Sequence, residues 1–136
     1  MTDPLPKGLY EFEVWAIGSS GSAQVGGGTS SALLLAEELD DSQPYAFSRE
    51  GGLVVDTAST SPVKASGREV SFTKQSASTL LKVTLADTLR VGYAQNGGWG
   101  TVMVRLDGVD TSCYTSKYDA QSAGGNFHNP FVMTCV

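Results

Sequence analysis

The sequence predicts an all-β domain, a sandwich or jelly roll of about eight to ten antiparallel strands. Three observations carry that expectation. Apolar and polar residues alternate with a period of two over many short runs. Glycine-rich and polar turns separate those runs. No stretch holds a clean helical period. The pattern is densest in Thr79–Gly108. There Leu81, Val83 and Leu85 alternate with Lys82 and Thr84. Leu89, Val91 and Tyr93 alternate with Arg90 and Gly92, and Val102, Val104 and Leu106 with Met103 and Arg105. Gly97-Gly98 precedes the third run, and Asp107-Gly108, a strong hairpin signal, follows it. The three runs read as an antiparallel meander with one buried face.

The remaining elements follow in order. Residues 1–8 are a proline-containing lead-in. Tyr10, Phe12, Val14 and Ala16 alternate with Glu11, Glu13 and Trp15, a strand with one inner face. Gly18–Thr29 reads as a flexible Gly/Ser loop outside the core. Its three glycines have no following Lys-Ser/Thr, so they are not a phosphate loop. Ser31–Leu39, SALLLAEEL, has helix-forming residues but is short for a helix and has strands for neighbours; strand is favoured. Asp40–Pro44 is a polar break. Tyr45–Phe47 and Leu53–Val55 read as two short strands about a Gly51-Gly52 turn. Thr57–Gly67 reads as loop, Pro62 arguing against a central strand. Val70 and Phe72 mark a strand over Glu69–Lys74. Ser112–Asn129 reads as a long loop holding at most a short strand, and Phe131–Val136 as the closing strand. No fixed repeat period points to a propeller or solenoid.

The chain has 136 residues, 40% of them hydrophobic, enough for a single domain over 1–136 with its own core. Charged residues make up 17%, against about 25% in an average soluble domain. Gly, Ser and Thr supply the missing polarity, a composition suited to extracellular or virion proteins and to self-associating subunits; an ordinary β protein with long loops is the alternative. The net charge of −5 repels polyanions, so nucleic acid is not an expected partner. No basic amphipathic helix or long apolar run points to a membrane. The first residues, MTDPLPKGLY, hold no apolar h-region. The expected location is extracellular, cell-surface or virion-associated, with either an export signal on a larger parent chain or another route out, such as on a virion.

Ser71–Val91, SFTKQSASTLLKVTLADTLRV, with its Leu89-Arg90 pair, is similar to the opening strands of the globular C-terminal domain of the collagen-triple-helix-repeat-containing family. Trp99 and Val102–Leu106 lead to Cys113 as a Trp-bearing strand leads to a cysteine in the family. Asn126-Phe127-His128 and Cys135 resemble its Asn-x-His element and second cysteine. The family's last two strands resemble Gly8–Ala16 and Ser31–Leu39, which here stand first. The order reads as a circular permutation, with Asp40–Arg68 bridging the family's ends; a fragment spanning two tandem copies is the alternative. The resemblance implies a trimeric jelly roll similar to tumour necrosis factor and the complement heads, and a strand at Ser31–Leu39. It covers most of the chain, and the collagen stalk is absent.

Candidate chemistry is sparse. His128 is the one histidine, so a nucleophile such as Cys113 has a single possible base, and a structural role for both is favoured. Glu37-Glu38 and Asp40-Asp41 point to opposite faces if on a strand, and read as a solvated edge. Asp107-x-x-Asp110 offers oxygens but not the spacing of a calcium loop, so no metal is expected. No cofactor is implied. Cys113 and Cys135, 22 apart, are best read as a disulfide worth roughly 3 kcal/mol; two buried thiols are the alternative. Tyr114, Tyr118, Asn126 and His128 sit among Ser, Gly and Lys117, the composition of adaptable recognition loops. Tyr93, Asn96 and Trp99 add aromatic faces and an amide suited to a sugar. The expected function is non-enzymatic: a homotrimeric adhesive or receptor-binding head, such as a fibre tip, recognising a cell-surface glycan or protein. A purely structural trimerisation module is the alternative.

Overall fold

The computed structural model describes residues 4–18, 23–39, 45–91, 98–119 and 129–136. They form eight strands, with no helix among the described residues: β1 (Gly8–Gly18), β2 (Ala23–Leu39), β3 (Tyr45–Thr57), β4 (Val63–Lys74), β5 (Leu80–Val91), β6 (Gly98–Leu106), β7 (Val109–Asp119) and β8 (Asn129–Cys135). Sheet A has the order β4-β1-β6-β7 and sheet B the order β3-β2-β5-β8. Every pairing is antiparallel. The expected all-β sandwich is present.

The alternation read from the sequence sets the inner faces. Phe12, Val14 and Ala16 of β1 point inward, as do Leu34 and Ala36 of β2. Val70 and Phe72 of β4, Leu81, Val83 and Leu85 of β5, and Val102 and Val104 of β6 meet them in one core. Burying each of the Val, Leu and Phe side chains among them contributes roughly 1.5–3 kcal/mol. Ser31–Leu39 is strand throughout: its neighbours β3 and β5 satisfy its backbone on both sides, which outweighs the helix propensity of its Ala, Leu and Glu residues.

Several expectations need correction. The meander is not one sheet, because β5 and β6 lie in opposite sheets. Its first two runs are a single strand, β5, whose odd-numbered residues stay in phase from Leu81 to Val91. The polar Asp87-Thr88 pair that divides those runs in the sequence is buried. The Gly/Ser stretch is not all loop: Ala23 and Val25 are core residues. Between Val25 and Leu33, eight residues of β2 pass three of β5, from Leu89 to Ala86. The extra residues are a large irregularity entered at Gly26, whose φ is +78°. Val63–Gly67 likewise belongs to β4, with Ala65 buried. A bulge at Gly67, φ +79°, re-phases the strand so that Arg68, Val70, Phe72 and Lys74 all face inward. Finally, Ser112–Asp119 is strand, the end of β7, and β3 runs unbroken across Gly51-Gly52.

Two ion pairs and one covalent bond tie the sheets together. Arg68 of β4 reaches across the sandwich to Asp87 of β5, Nε to Oδ2 at 2.9 Å. Lys74 of β4 lies 3.8 Å from Glu38 of β2, both fully buried. The Lys74 ammonium also donates to the Ser76 carbonyl and to Thr79 Oγ1. Glu38 accepts from the Gln75 and Ser76 amides, at 2.7 and 2.8 Å, and from the Thr79 hydroxyl. Glu38 is therefore not part of a solvated edge, because β4 and the turn after it supply donors for both its oxygens. Cys113 of β7 is bonded to Cys135 of β8, with Cα atoms 5.8 Å apart. The expected disulfide is present and links one edge strand of each sheet.

Candidate functional site

The core is filled by apolar groups and by the buried Arg68–Asp87 and Lys74–Glu38 pairs, and the exposed side chains of the strands lie on the two outer faces. Strand alternation assigns them. On sheet B, the outward residues of β3, β2, β5 and β8 lie in rows fixed by register. One row is Phe47, Leu35, Thr84 and Thr134; the next is Arg49, Leu33, Ala86 and Val132. Tyr45 stacks with Phe47, ring centroids 6.2 Å apart. Val132 is 73% exposed and Phe47 58%. This face exposes Tyr45, Phe47 and Val132 among polar neighbours, Arg49, Thr84 and Thr134.

Sheet A is different. Its outward rows are Glu13, Arg105 and Asp110; then Trp15, Met103 and Tyr114; then Ile17, Thr101 and Ser116. Trp99 pairs with Tyr118 beyond them. Arg105 Cζ sits 4.3 Å from the Trp15 ring centroid, a cation–π contact, while its Nε donates to Asp110 Oδ1 at 2.6 Å. Trp15 Nε1 donates to Glu13 Oε2 at 3.2 Å. Lys64 lies 2.5 Å from Glu13, 3.0 Å from Glu69 and 4.0 Å from Glu11. The Lys64 hydrogen bond holds the Glu13 carboxyl below its ordinary range, against the opposing pull of burial. Its bonds to Glu13 and Glu69 push the Lys64 ammonium above its own range. A carboxylate held ionised in this way is poorly suited to donate a proton as a general acid.

The expected ligand residues divide. Trp99 and Tyr114 stand on this outer face of sheet A, 38% and 65% exposed. Tyr118 pairs with Trp99 through its backbone. Tyr93, Asn96, Asn126 and His128 lie outside the described residues. Trp15, Met103 and Arg105 share the face, and sequence reasoning misses them as site residues. A signal exists for Trp15, which alternates with Phe12, Val14 and Ala16 on the side of Glu11 and Glu13. Its register beside Met103 and Tyr114 depends on pairing across strands, which no single run reveals.

Two further features border the face. A cleft of about 450 Å³ at the end of sheet A is lined by Leu5, Tyr10, Leu106 and Val109, with Asp107 and Asp110 at its polar side. Asp107 forms the hairpin turn, with φ +49°, and its Oδ1 accepts from the Glu11 amide at 2.8 Å. With Asp110 engaged by Arg105, that pair is committed to structure. No cluster of three or more metal-ligating side chains occurs among the described residues. The Cys113 sulfur, tied up in the disulfide, is no thiolate nucleophile. Comparison with family models, with curated proteins and with solved structures finds no match to this chain.

Proposed function

We propose that this chain is a circularly permuted jelly-roll head that assembles as a homotrimer and binds a cell-surface glycan, without catalysis, as a fibre tip does. The observation that carries the reading is the contrast between the two outer faces. Sheet B exposes large apolar side chains, Tyr45, Phe47 and Val132, fit for burial against copies of the chain, and sheet A carries Trp15, Trp99 and Tyr114 among hydroxyl and charged groups, fit for a ligand.

Strand pairing supports the jelly-roll part. The pairs β6–β7, β5–β8, β4–β1 and β3–β2 follow one another as an antiparallel ribbon. One arm of the ribbon is β3-β4-β5-β6. The other is β7-β8-β1-β2, continuous only if β8 is taken to lead on to β1. Wrapping such a ribbon gives two four-stranded sheets, the double Greek key of a jelly roll. The place of β1 and β2 ahead of β3 is what a permuted relative of the collagen-repeat-family head would have.

Exposed apolar patches of this kind mark interaction surfaces. Three copies meeting on sheet B would place three sheet A faces outward, so that weak individual sites gain avidity. A protein secreted or carried on a virion would keep its Cys113–Cys135 bond oxidised. A structural trimerisation module would use the same sheet B surface but would leave Trp99 and Tyr114 without a ligand.

Solution mass by light scattering tests the assembly. We expect a value near three times 14.2 kDa, falling to the monomer in Val132→Glu or Phe47→Glu, which bury a charge at the interface. A monomeric wild type at micromolar concentration overturns the trimeric head.

A further inference from the structure

We propose that the outer face of the β6–β7 hairpin is a strip that binds a neutral oligosaccharide, with Tyr114 and Trp99 as stacking platforms. This rests on the glycan-binding reading above and gives it a site, an orientation and a charge preference.

The register sets the strip out in rows. Tyr114 stands beside Met103, Ser116 beside Thr101, and Trp99 lies four residues along β6 from Met103. At about 3.3 Å per residue the two aromatic rows are ~13 Å apart. That length exceeds one pyranose ring and matches a short oligosaccharide lying along the strands. Between the rows, Thr101 Oγ1 and Ser116 Oγ are 2.7 Å apart and exposed. Aromatic rings accept the apolar C–H face of a sugar, and the paired hydroxyls both donate and accept to its hydroxyl groups. The alternation aromatic, hydroxyl, aromatic therefore repeats the alternation of surfaces along a saccharide.

The neighbouring side chains hold the strip in place. Trp15 packs beneath Arg105, and Arg105 is fixed by Asp110. Preorganised groups lose little freedom on binding. Charge then selects the ligand. On the four strands of sheet A, the described outward side chains include the carboxylates Glu11, Glu13, Glu69 and Asp110. They face two cations, Lys64 and Arg105, both already engaged by those acids. An anionic sugar would approach excess negative charge with both of these cations taken. A neutral sugar meets no such repulsion.

The test is a glycan array of neutral, sialylated and sulfated oligosaccharides, read with wild type, Tyr114→Ala, Trp99→Ala and, on the opposite sheet, Thr134→Ala. We expect neutral glycans to bind, with affinity reduced about tenfold in each aromatic variant and unchanged in Thr134→Ala. Thr101→Val, which keeps the shape and removes a hydroxyl, should weaken binding and guards against misfolding of the aromatic variants. Both tryptophans of the chain lie on this face, so intrinsic fluorescence should change as a neutral hit from the array is titrated in. Neutral binding that survives all three strip variants overturns the strip while leaving a glycan-binding head standing. Binding restricted to acidic glycans overturns the charge selection and the strip with it. No glycan binding by folded protein overturns both.

Discussion

Glu38 shows what a single residue contributes here. Its carboxylate is fully buried between the sheets, and burial alone would push its pKa up. The Thr79 hydroxyl, the Gln75 and Ser76 amides and the nearby Lys74 ammonium outweigh that effect and hold it below the ordinary carboxylate range. In the unfolded chain the group titrates near ~4.3. Its folded value is lower, so the stability it contributes is present above ~4.3 and is lost as pH falls through the folded value. Glu38→Gln leaves the Lys74 charge buried without its partner and should cost about 3 kcal/mol at neutral pH. Urea unfolding at about pH 7 and again at strongly acid pH measures this. The gap between variant and wild type should shrink in acid, because wild-type Glu38 is then protonated as well. An equal gap at both pH values would mean that the effect is packing and not charge.

At the scale of elements, the β6–β7 hairpin is the part that local sequence most nearly dictates. Asp107 and Gly108 have φ of +49° and +76°, both positive as a tight type I′ turn requires. Space around Gly108 is open, so a side chain there displaces no neighbour and only the backbone objects. Gly108→Val should therefore destabilise by roughly 1–2 kcal/mol, through the cost of a positive φ at a β-branched residue. Gly100, on the same hairpin, is needed for the opposite reason. A Cβ there would meet the Ala23 Cβ at 2.9 Å, so the sheets touch almost backbone to backbone at this end. Gly100→Ala should cost about 1–3 kcal/mol by overpacking, seen as a lower urea midpoint at unchanged slope. These elements also show where sequence reading succeeds. Strands with one clean alternation, such as Tyr10–Ala16 and Val102–Leu106, are legible because one buried face imposes one period. Leu80–Val91 reads as two runs because Asp87 is polar, and only Arg68 on the facing sheet explains why it is buried. Val63–Gly67 and Ala23–Val25 read as loop because Gly, Ser and Pro dominate locally. Partner strands hold them extended regardless. Trp99 and Tyr114 are legible as candidates by residue type, whereas their shared face with Trp15 is a product of register.

Over the whole molecule, the ribbon arrangement makes a claim about connectivity. If four strand pairs define the fold, the place where the chain opens is secondary. A reordered chain beginning at Tyr45, running to Val136, continuing through a short Gly/Ser linker to Pro4 and ending at Leu39 keeps every pair. Such permutations are tolerated where the rejoined segments lie at the surface. The loop-closure cost of the new linker grows only slowly with its length. We therefore expect the reordered protein to show the same far-UV spectrum, the same intact disulfide and the same solution mass as the native order. Its kinetics should differ. In the native order β2 and β3 are close in sequence, while in the reordered chain their pairing joins the two ends. Folding slows as contacts become less local, so refolding should be slower while unfolding is nearly unchanged. A reordered chain that stays unfolded with its cysteines reduced would show that the β2–β3 connection itself organises sheet B. The ribbon would then be a description of the strands and not the cause of their arrangement.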